Sequence, residues 1–265
     1  MPLKKDGNTI IKISVSKQIV NIYFKNNKIS VPLSIYLSSY FYKGKTLKDE
    51  EIAKLKEYEE CLDLIKYSKS ILSRHAYSEY IMREKLYARK ANNKQIDLVI
   101  NELKKIELIN DKKLTSDLIE LYIHKGYGSN KIKNMLISKG LKTDNLEIFN
   151  SFSDECEMAY AHLEKLEKKY AKYSTKEKRK HVNNALIGLG FDKEIALKVS
   201  NAINMNDEET ELNLLEKDYL KSFNKWQRKY CDYQLKNKVI NSLLIKGYNL
   251  NTINEIWRKY HDENA

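Results

Sequence analysis

The sequence predicts a mainly α-helical fold, built as tandem three-helix repeats in an elongated, solenoid-like array, with a small antiparallel β-sheet at the N-terminus. Three observations carry this expectation. Apolar residues alternate with polar ones only between residues 9 and 31. From Asp49 onward every apolar pattern has the helical period. Four segments then share one plan: KLYARKANNKQIDLVI, NMLISKGLKTDNLEIF, NALIGLGFDKEIALKV and NSLLIKGYNLNTINEI.

At the N-terminus, TIIKISV and QIVNIYF are rich in β-branched residues and read as strands. Asn26-Asn27 is expected to turn the chain into KISV, because asparagine tolerates positive φ. A sheet this small is marginal alone. It is expected to pack on a helix over 33–41, which Pro32 opens where a missing N–H costs nothing.

In the helical part, Ile96, Val99, Ile100 and Leu103 form one inward stripe. Leu114, Leu118, Leu121 and Tyr122 form a second, and Ile253, Ile256, Trp257 and Tyr260 a third. Helix starts are marked by Asn92 with Gln95, by Asn110 or Asp111, by Ser129, and by Ser174 with Glu177. In the last three repeated segments a glycine (Gly140, Gly190, Gly247) precedes one apolar residue (Leu141, Phe191, Tyr248). That pair suits a left-handed residue after a helix end, with the apolar residue packed back on the last turn. Lys90 and Ala91 hold these positions in the first segment, so that turn is expected to close differently. Longer helices over 52–72, 112–125, 154–173 and 207–230 precede the units. The implied division is 1–48 for the sheet and a short helix, then repeats over 49–108, 109–152, 153–205 and 206–265.

Composition bounds the function. The chain has 265 residues, enough for one large domain or two ordinary ones, with 42% hydrophobic residues. No apolar run is long enough to cross a bilayer, and MPLKKDGN lacks a signal-peptide core, so a cytoplasmic protein is expected. Cys61, Cys156 and Cys231 lie far apart in helix-like patterns and are expected to be buried thiols. The net charge of +12 points to a polyanion or an acidic protein surface. Enrichment in Lys, Asn, Ile and Tyr would also follow from an AT-rich genome, so local asymmetry says more. Residues 125–142 carry five positive charges and no acid, and residues 168–180 carry seven bases against Glu177 alone.

The first of these stretches, KGYGSNKIKNMLISKGL, superficially resembles a phosphate loop. Lys131 stands where either a Walker loop or a dinucleotide fingerprint needs glycine, and both need a strand upstream where this chain reads as helix. The stretch reads instead as a helix–helix turn: Gly126 and Gly128 bend, and Ser129 caps a helix over 130–138. There Ile132, Met135 and Leu136 face inward. Lys131, Lys133 and Lys139 stay outside, beside an N-terminus that favours anions. The five histidines lack metal-ligand spacing. Asp154, Glu155 and Glu157 read as dipole-compensating acids at a helix start. No nucleophile motif is present. The expectation is a protein without catalysis, cofactor or metal.

SILSRHAYSEYIMREKL contains a leucine-serine-arginine turn followed by a Ser-Glu helix start. LINDKKLTSDLIELYIHKGYGSNKIKNMLISKGL continues with an Asp opening the second repeat, a glycine bend, and a close on Lys-Gly plus an apolar residue. In these features residues 70–141 resemble the RecX family, regulators of the bacterial recombinase RecA. The N-terminal strands with KGKTL look like the extension of longer members from low-GC Gram-positive bacteria. HVNNALIGLGF and KVINSLLIKGY look like later repeats. Two departures stand out: Gly128-Ser129 replaces a frequent Gly-Pro, and Lys90 replaces a glycine.

The resemblance implies a monomer that binds the helical groove of the RecA nucleoprotein filament, restrains ATP hydrolysis and strand exchange, and favours filament disassembly. Direct contact with single-stranded DNA is part of that expectation; a membrane is not. Expected contacts to RecA or DNA are Arg74, Arg83, Arg89 and Lys90 in the first repeat, Lys125, Lys131, Lys133 and Lys139 in the second, and Lys178, Arg179 and Lys180 in the third. Tyr77 and Tyr127, at turns, are candidates for stacking on bases, whereas Tyr122, Tyr160 and Tyr219 are expected in the core. A helix-turn-helix-like transcriptional regulator and a scaffold for an acidic partner protein are the alternatives.

Overall fold

Strands β1 (Lys12–Ser16), β2 (Ile19–Tyr23) and β3 (Lys28–Pro32) form an antiparallel sheet in the order β1-β2-β3. The structure is a computed structural model that describes residues 6–144, 148–149 and 152–261. The register pairs Val20 with Val31 and Ile22 with Ile29, so these four residues share the buried face. The β2–β3 connection closes with Phe24 N–H donating to the Asn27 carbonyl at 2.8 Å. Its tip is therefore Lys25-Asn26, one residue earlier than expected. Positive φ occurs instead in the first hairpin, at Lys17 (φ 52).

Helix α1 (Leu33–Leu37) follows, with Pro32 at its N-cap. It stops short of Phe41 because the Ser38 hydroxyl donates to the Ile35 carbonyl (3.1 Å), offering the backbone an alternative to continued helix. Helices α2 (Asp49–Glu60) and α3 (Leu62–Leu72) break at Cys61 and are followed by α4 (Glu79–Tyr87) and α5 (Asn93–Lys105). Helix α2 covers the sheet beside β3, where Glu59 Oε1 accepts from the Ser30 N–H at 2.7 Å. A charged acceptor thus closes the outer edge of β3. Next come α6 (Asp111–His124) and α7 (Ser129–Ile137), then α8 (Phe152–Tyr160), α9 (Leu163–Lys169), α10 (Thr175–Gly188) and α11 (Lys193–Asn201). The last three are α12 (Glu208–Trp226), α13 (Asp232–Ile245) and α14 (Leu250–His261). The fold is mainly α with one small antiparallel sheet.

The chain divides into two units, residues 1–118 with 136–142, and residues 119–135 with 143–265. In the first, Val20, Ile22, Ile29 and Val31 make the sheet core with Leu47 and Leu55, and Met82, Leu86, Ile96 and Leu103 make a helical one. In the second, Val182, Leu186, Phe191 and Val199 form one cluster and Leu215, Tyr219, Val239 and Ile253 another. The stripe of α5 is buried as expected; that of α6 is not entirely, because Leu121 is 44% exposed and Tyr122 takes the inward position. Tyr160 is likewise exposed, with Ala159 inward, and Cys231 is exposed because it stands at the break before α13, outside any helix. Part of the stripe expected near 143–150 lies outside the described residues.

Helices α4, α7, α10 and α13 end alike. Lys90, Gly140, Gly190 and Gly247 have φ of 63, 69, 91 and 91. Each donates its N–H to the carbonyl three residues back, and the next residue donates to the carbonyl five back. The first turn therefore closes as the others do, contrary to expectation, with a lysine in the left-handed region. Ala91, Leu141, Phe191 and Tyr248 are all buried.

Three of these turns receive the start of another helix of the set. Ser78, the N-cap of α4, donates its hydroxyl to the Lys139 carbonyl at 2.5 Å. Ser174, the N-cap of α10, does the same to Lys246 at 2.5 Å. At the start of α7, the N–H groups of Gly128 and Asn130 donate to the carbonyls of Leu189 and Gly190 at 2.9 and 3.0 Å. An acid completes each joint on the first helical N–H. Glu79 donates to Asp111 Oδ1 (2.9 Å), Ser129 to Glu155 Oε1 (2.8 Å) and Thr175 to the Glu211 carboxylate (3.3 Å). Ser129 is thus the first residue of α7 and not its cap, and the anion position at that N-terminus is already held by Glu155.

Candidate interaction surface

The basic residues expected to make contacts fall in both units. In the first, Arg74 lies exposed in the turn after α3, Arg89 stacks its guanidinium 3.6 Å from the Tyr67 ring, and Lys90 is exposed on its left-handed turn. Arg83 is committed locally: it bonds Glu79 (2.9 Å) and Asp97 (2.7 Å), and Asp97 first, against burial, pushes its pKa up. Lys139 is half-buried, with its carbonyl in the α4 joint.

In the second unit, Lys125 and Lys180 are exposed and Lys133 is half-buried. Lys131 packs its ammonium 3.9 Å over the Tyr127 ring and lies against Gly190. Lys178 is inside, at 8% exposure. Arg179 lines a cavity of about 740 Å³ with Met205, Leu212, Leu215 and Tyr248, and its Nε is buried without a partner among the described residues. Tyr77 and Tyr127 are half-buried beneath Lys85 and Lys131. Among the described residues no group of three or more His, Cys, Asp or Glu is placed to hold a metal ion, and no helix is long and apolar enough to cross a membrane.

One charge asymmetry escaped the reading of the sequence. Residues 7–48 contain seven lysines and no acid. The asymmetry is visible in the residue order, but it is spread over a segment whose alternating pattern speaks for strand packing.

No family model matches the chain. Individual relatives do. A regulatory protein RecX from Streptococcus thermophilus (strain CNRZ 1066) is 30% identical over 186 residues, 69% of this chain and 72% of the relative. The chain belongs to the RecX family. A regulatory protein RecX from Streptococcus agalactiae serotype Ia is 27% identical over 259 residues, covering 95% of this chain and 99% of its own. A crystal structure of regulatory protein RecX matches 73% of this chain and 99% of that one, with a TM-score of 0.59 at 19% identity, a likeness of fold.

The residues that carry the RecX resemblance are largely those of the first joint: Ser78, Glu79, Asp111, Lys139 and Gly140. The departure from a RecX-like Gly-Pro also has a local reason. Ser129 supplies the N–H that Glu155 accepts, and a proline there would have none. Gly128 is needed for close approach, since a Cβ would stand 2.3 Å from the Phe191 nitrogen.

Proposed function

We propose that this chain is a regulator of the RecA recombinase, binding the RecA–single-stranded DNA filament in its helical groove and restraining ATP hydrolysis and strand exchange without a reaction of its own. The observation that carries this reading is RecX kinship along nearly the whole length, 95% of the chain in the S. agalactiae alignment. The recurrent joint supports it. Residues 49–108, 109–152, 153–205 and 206–265 are read as four tandem repeats, each built around one of the helices α4, α7, α10 and α13. Such an array can follow the repeating protomers of a filament, with exposed lysines near phosphate adding salt-sensitive, sequence-independent affinity. On this reading the protein acts as a cytoplasmic monomer.

The test adds the protein substoichiometrically to RecA on single-stranded DNA and follows ATP hydrolysis. A fall in rate and earlier loss of filament are expected. An unchanged rate over a wide range of ratios would sink the reading.

A further inference from the structure

The N-terminal module carries chemistry that the helical part does not. Of the seven lysines in residues 7–48, Lys12, Lys17, Lys25, Lys28, Lys43 and Lys48 are exposed and Lys45 is half-buried. The loop after α1 reads YFYKGK over residues 40–45. Tyr40 is 91% exposed and Tyr42 63%. Rings this open to water contribute almost nothing to the core, whereas Phe41 between them packs against the sheet cluster.

Phe41 is also the shared wall of two depressions. One, of about 550 Å³, is lined by Ile11, Lys12, Ile13, Tyr36, Tyr42 and Lys43. The other, of about 400 Å³, has Tyr40, Lys45, Lys54 and Lys105 on its wall. Glu51 lies there too, but its carboxylate accepts from the Lys48 N–H at 2.8 Å as a cap of α2. The loop is held in place. Gly44 N–H donates to Ile10 (2.8 Å), Ile10 N–H donates to Lys45 (2.9 Å), and Lys45 Nζ donates to the Tyr40 carbonyl (2.9 Å).

We infer that this face of the N-terminal module binds single-stranded nucleic acid, with bases stacking on Tyr40 and Tyr42 on either side of Phe41 and phosphates meeting Lys12, Lys43 and Lys45. Exposed rings interleaved with lysines fit unpaired bases, whose faces are free to stack; in a duplex those faces are occupied. Among the described residues no strand pairs with the outer edge of β1, so an extended peptide is the competing occupant. A peptide added there takes main-chain bonds and uses neither seven lysines nor rings set off the strand. The site goes beyond the recombinase reading in its place, because the contacts expected on that reading all lie in the helical repeats, and strand binding here needs no RecA.

The experiment measures fluorescence anisotropy of a labelled oligothymidylate of about 20 nucleotides with the full chain, across a salt series. The Tyr40→Ala/Tyr42→Ala variant is expected to bind at least about tenfold more weakly, while affinity for a duplex of equal length hardly moves. Lys12→Gln/Lys43→Gln is expected to make the slope of log affinity against log salt shallower by about 1.4. Tyrosine-variant binding within about twofold of the unsubstituted chain overturns the inference, as does failure of the unsubstituted chain to bind at low salt. If the chain ignores the oligonucleotide but the tyrosine variant loses RecA regulation, the face takes a protein partner and the inference is likewise overturned. Tyrosine-dependent strand binding without any effect on RecA hydrolysis would remove the recombinase reading and leave this site standing.

Discussion

Glu102 has the least comfortable position of any acid described. It is 1% exposed on α5, and neither carboxylate oxygen has a hydrogen-bond partner among the described residues. Its charge adds to burial in pushing the Tyr58 hydroxyl pKa up. Burying a polar group without a bond costs on the order of 1–3 kcal/mol, so Glu102→Met is expected to raise unfolding stability by about that amount. A urea midpoint shifted upward at constant slope would show it; a lower midpoint would mean that the carboxylate finds a partner in solution. The turn residues make a second pair. Lys90 and Gly190 share a left-handed backbone, but Lys90 is exposed, whereas the Lys131 Cβ stands 2.2 Å from where a Cβ on Gly190 would be. Lys90→Gly should therefore add about 1 kcal/mol and Gly190→Ala remove about 2 kcal/mol or more, read from thermal or urea midpoints. The glycine-plus-apolar signature was legible in the sequence. The close approach that excludes a side chain was not, because the neighbour lies far away along the chain.

At the scale of elements, local signals read well and third partners did not. Asn92 with Gln95 forms the expected box, and Asn110 Oδ1 accepts from the Lys113 N–H at 3.0 Å. The acids that complete the joints, Asp111, Glu155 and Glu211, come from other helices, so no local pattern announces them. The break before α9 is similar: His162 Nε2 lies 2.9 Å from the Gly126 carbonyl, a contact that helical periodicity over 154–173 could not foresee. Glu79 illustrates how such partners act on pH. Burial works against its carboxylate, but bonds from Lys104 (2.5 Å) and Arg83 (2.9 Å) outweigh it and hold its pKa below the usual 4.5. A depressed folded value contributes stability above the ordinary carboxylate range, and that contribution fades as pH falls through the folded value. Glu79→Gln is expected to be less stable than the unsubstituted protein at neutral pH. The gap should narrow below about pH 4. A gap that stays constant on acidification would show that Glu79 acts through packing and not through its charge.

At the scale of the molecule, the α fold with its N-terminal sheet was legible because strand and helix periods occupy separate stretches of the chain. The interaction surface was less so, because charge counted along a sequence does not say which lysines a fold consumes. Lys178 is buried, Arg83 is paired, and Lys131 is part of a joint. Meanwhile residues 7–48 supply seven of the twelve excess positive charges from a segment that reads as a sheet. Not every one of these basic residues can therefore serve as a probe of filament contact. Reversing Lys131 would disturb the α7 joint and confuse folding with binding. Lys125 and Lys180 are exposed and Lys133 is half-buried away from the Gly190 turn, so Lys125→Glu/Lys133→Glu/Lys180→Glu is the cleaner probe. Exposed charges act over roughly a Debye length, about 10 Å at 0.1 M salt and 3 Å at 1 M. The triple variant should therefore need about tenfold more protein to restrain RecA hydrolysis at low salt, with the difference shrinking as salt rises. Its circular dichroism and melting midpoint should stay close to those of the unsubstituted chain. Full potency at low salt in a folded variant would move the filament contact away from these three lysines.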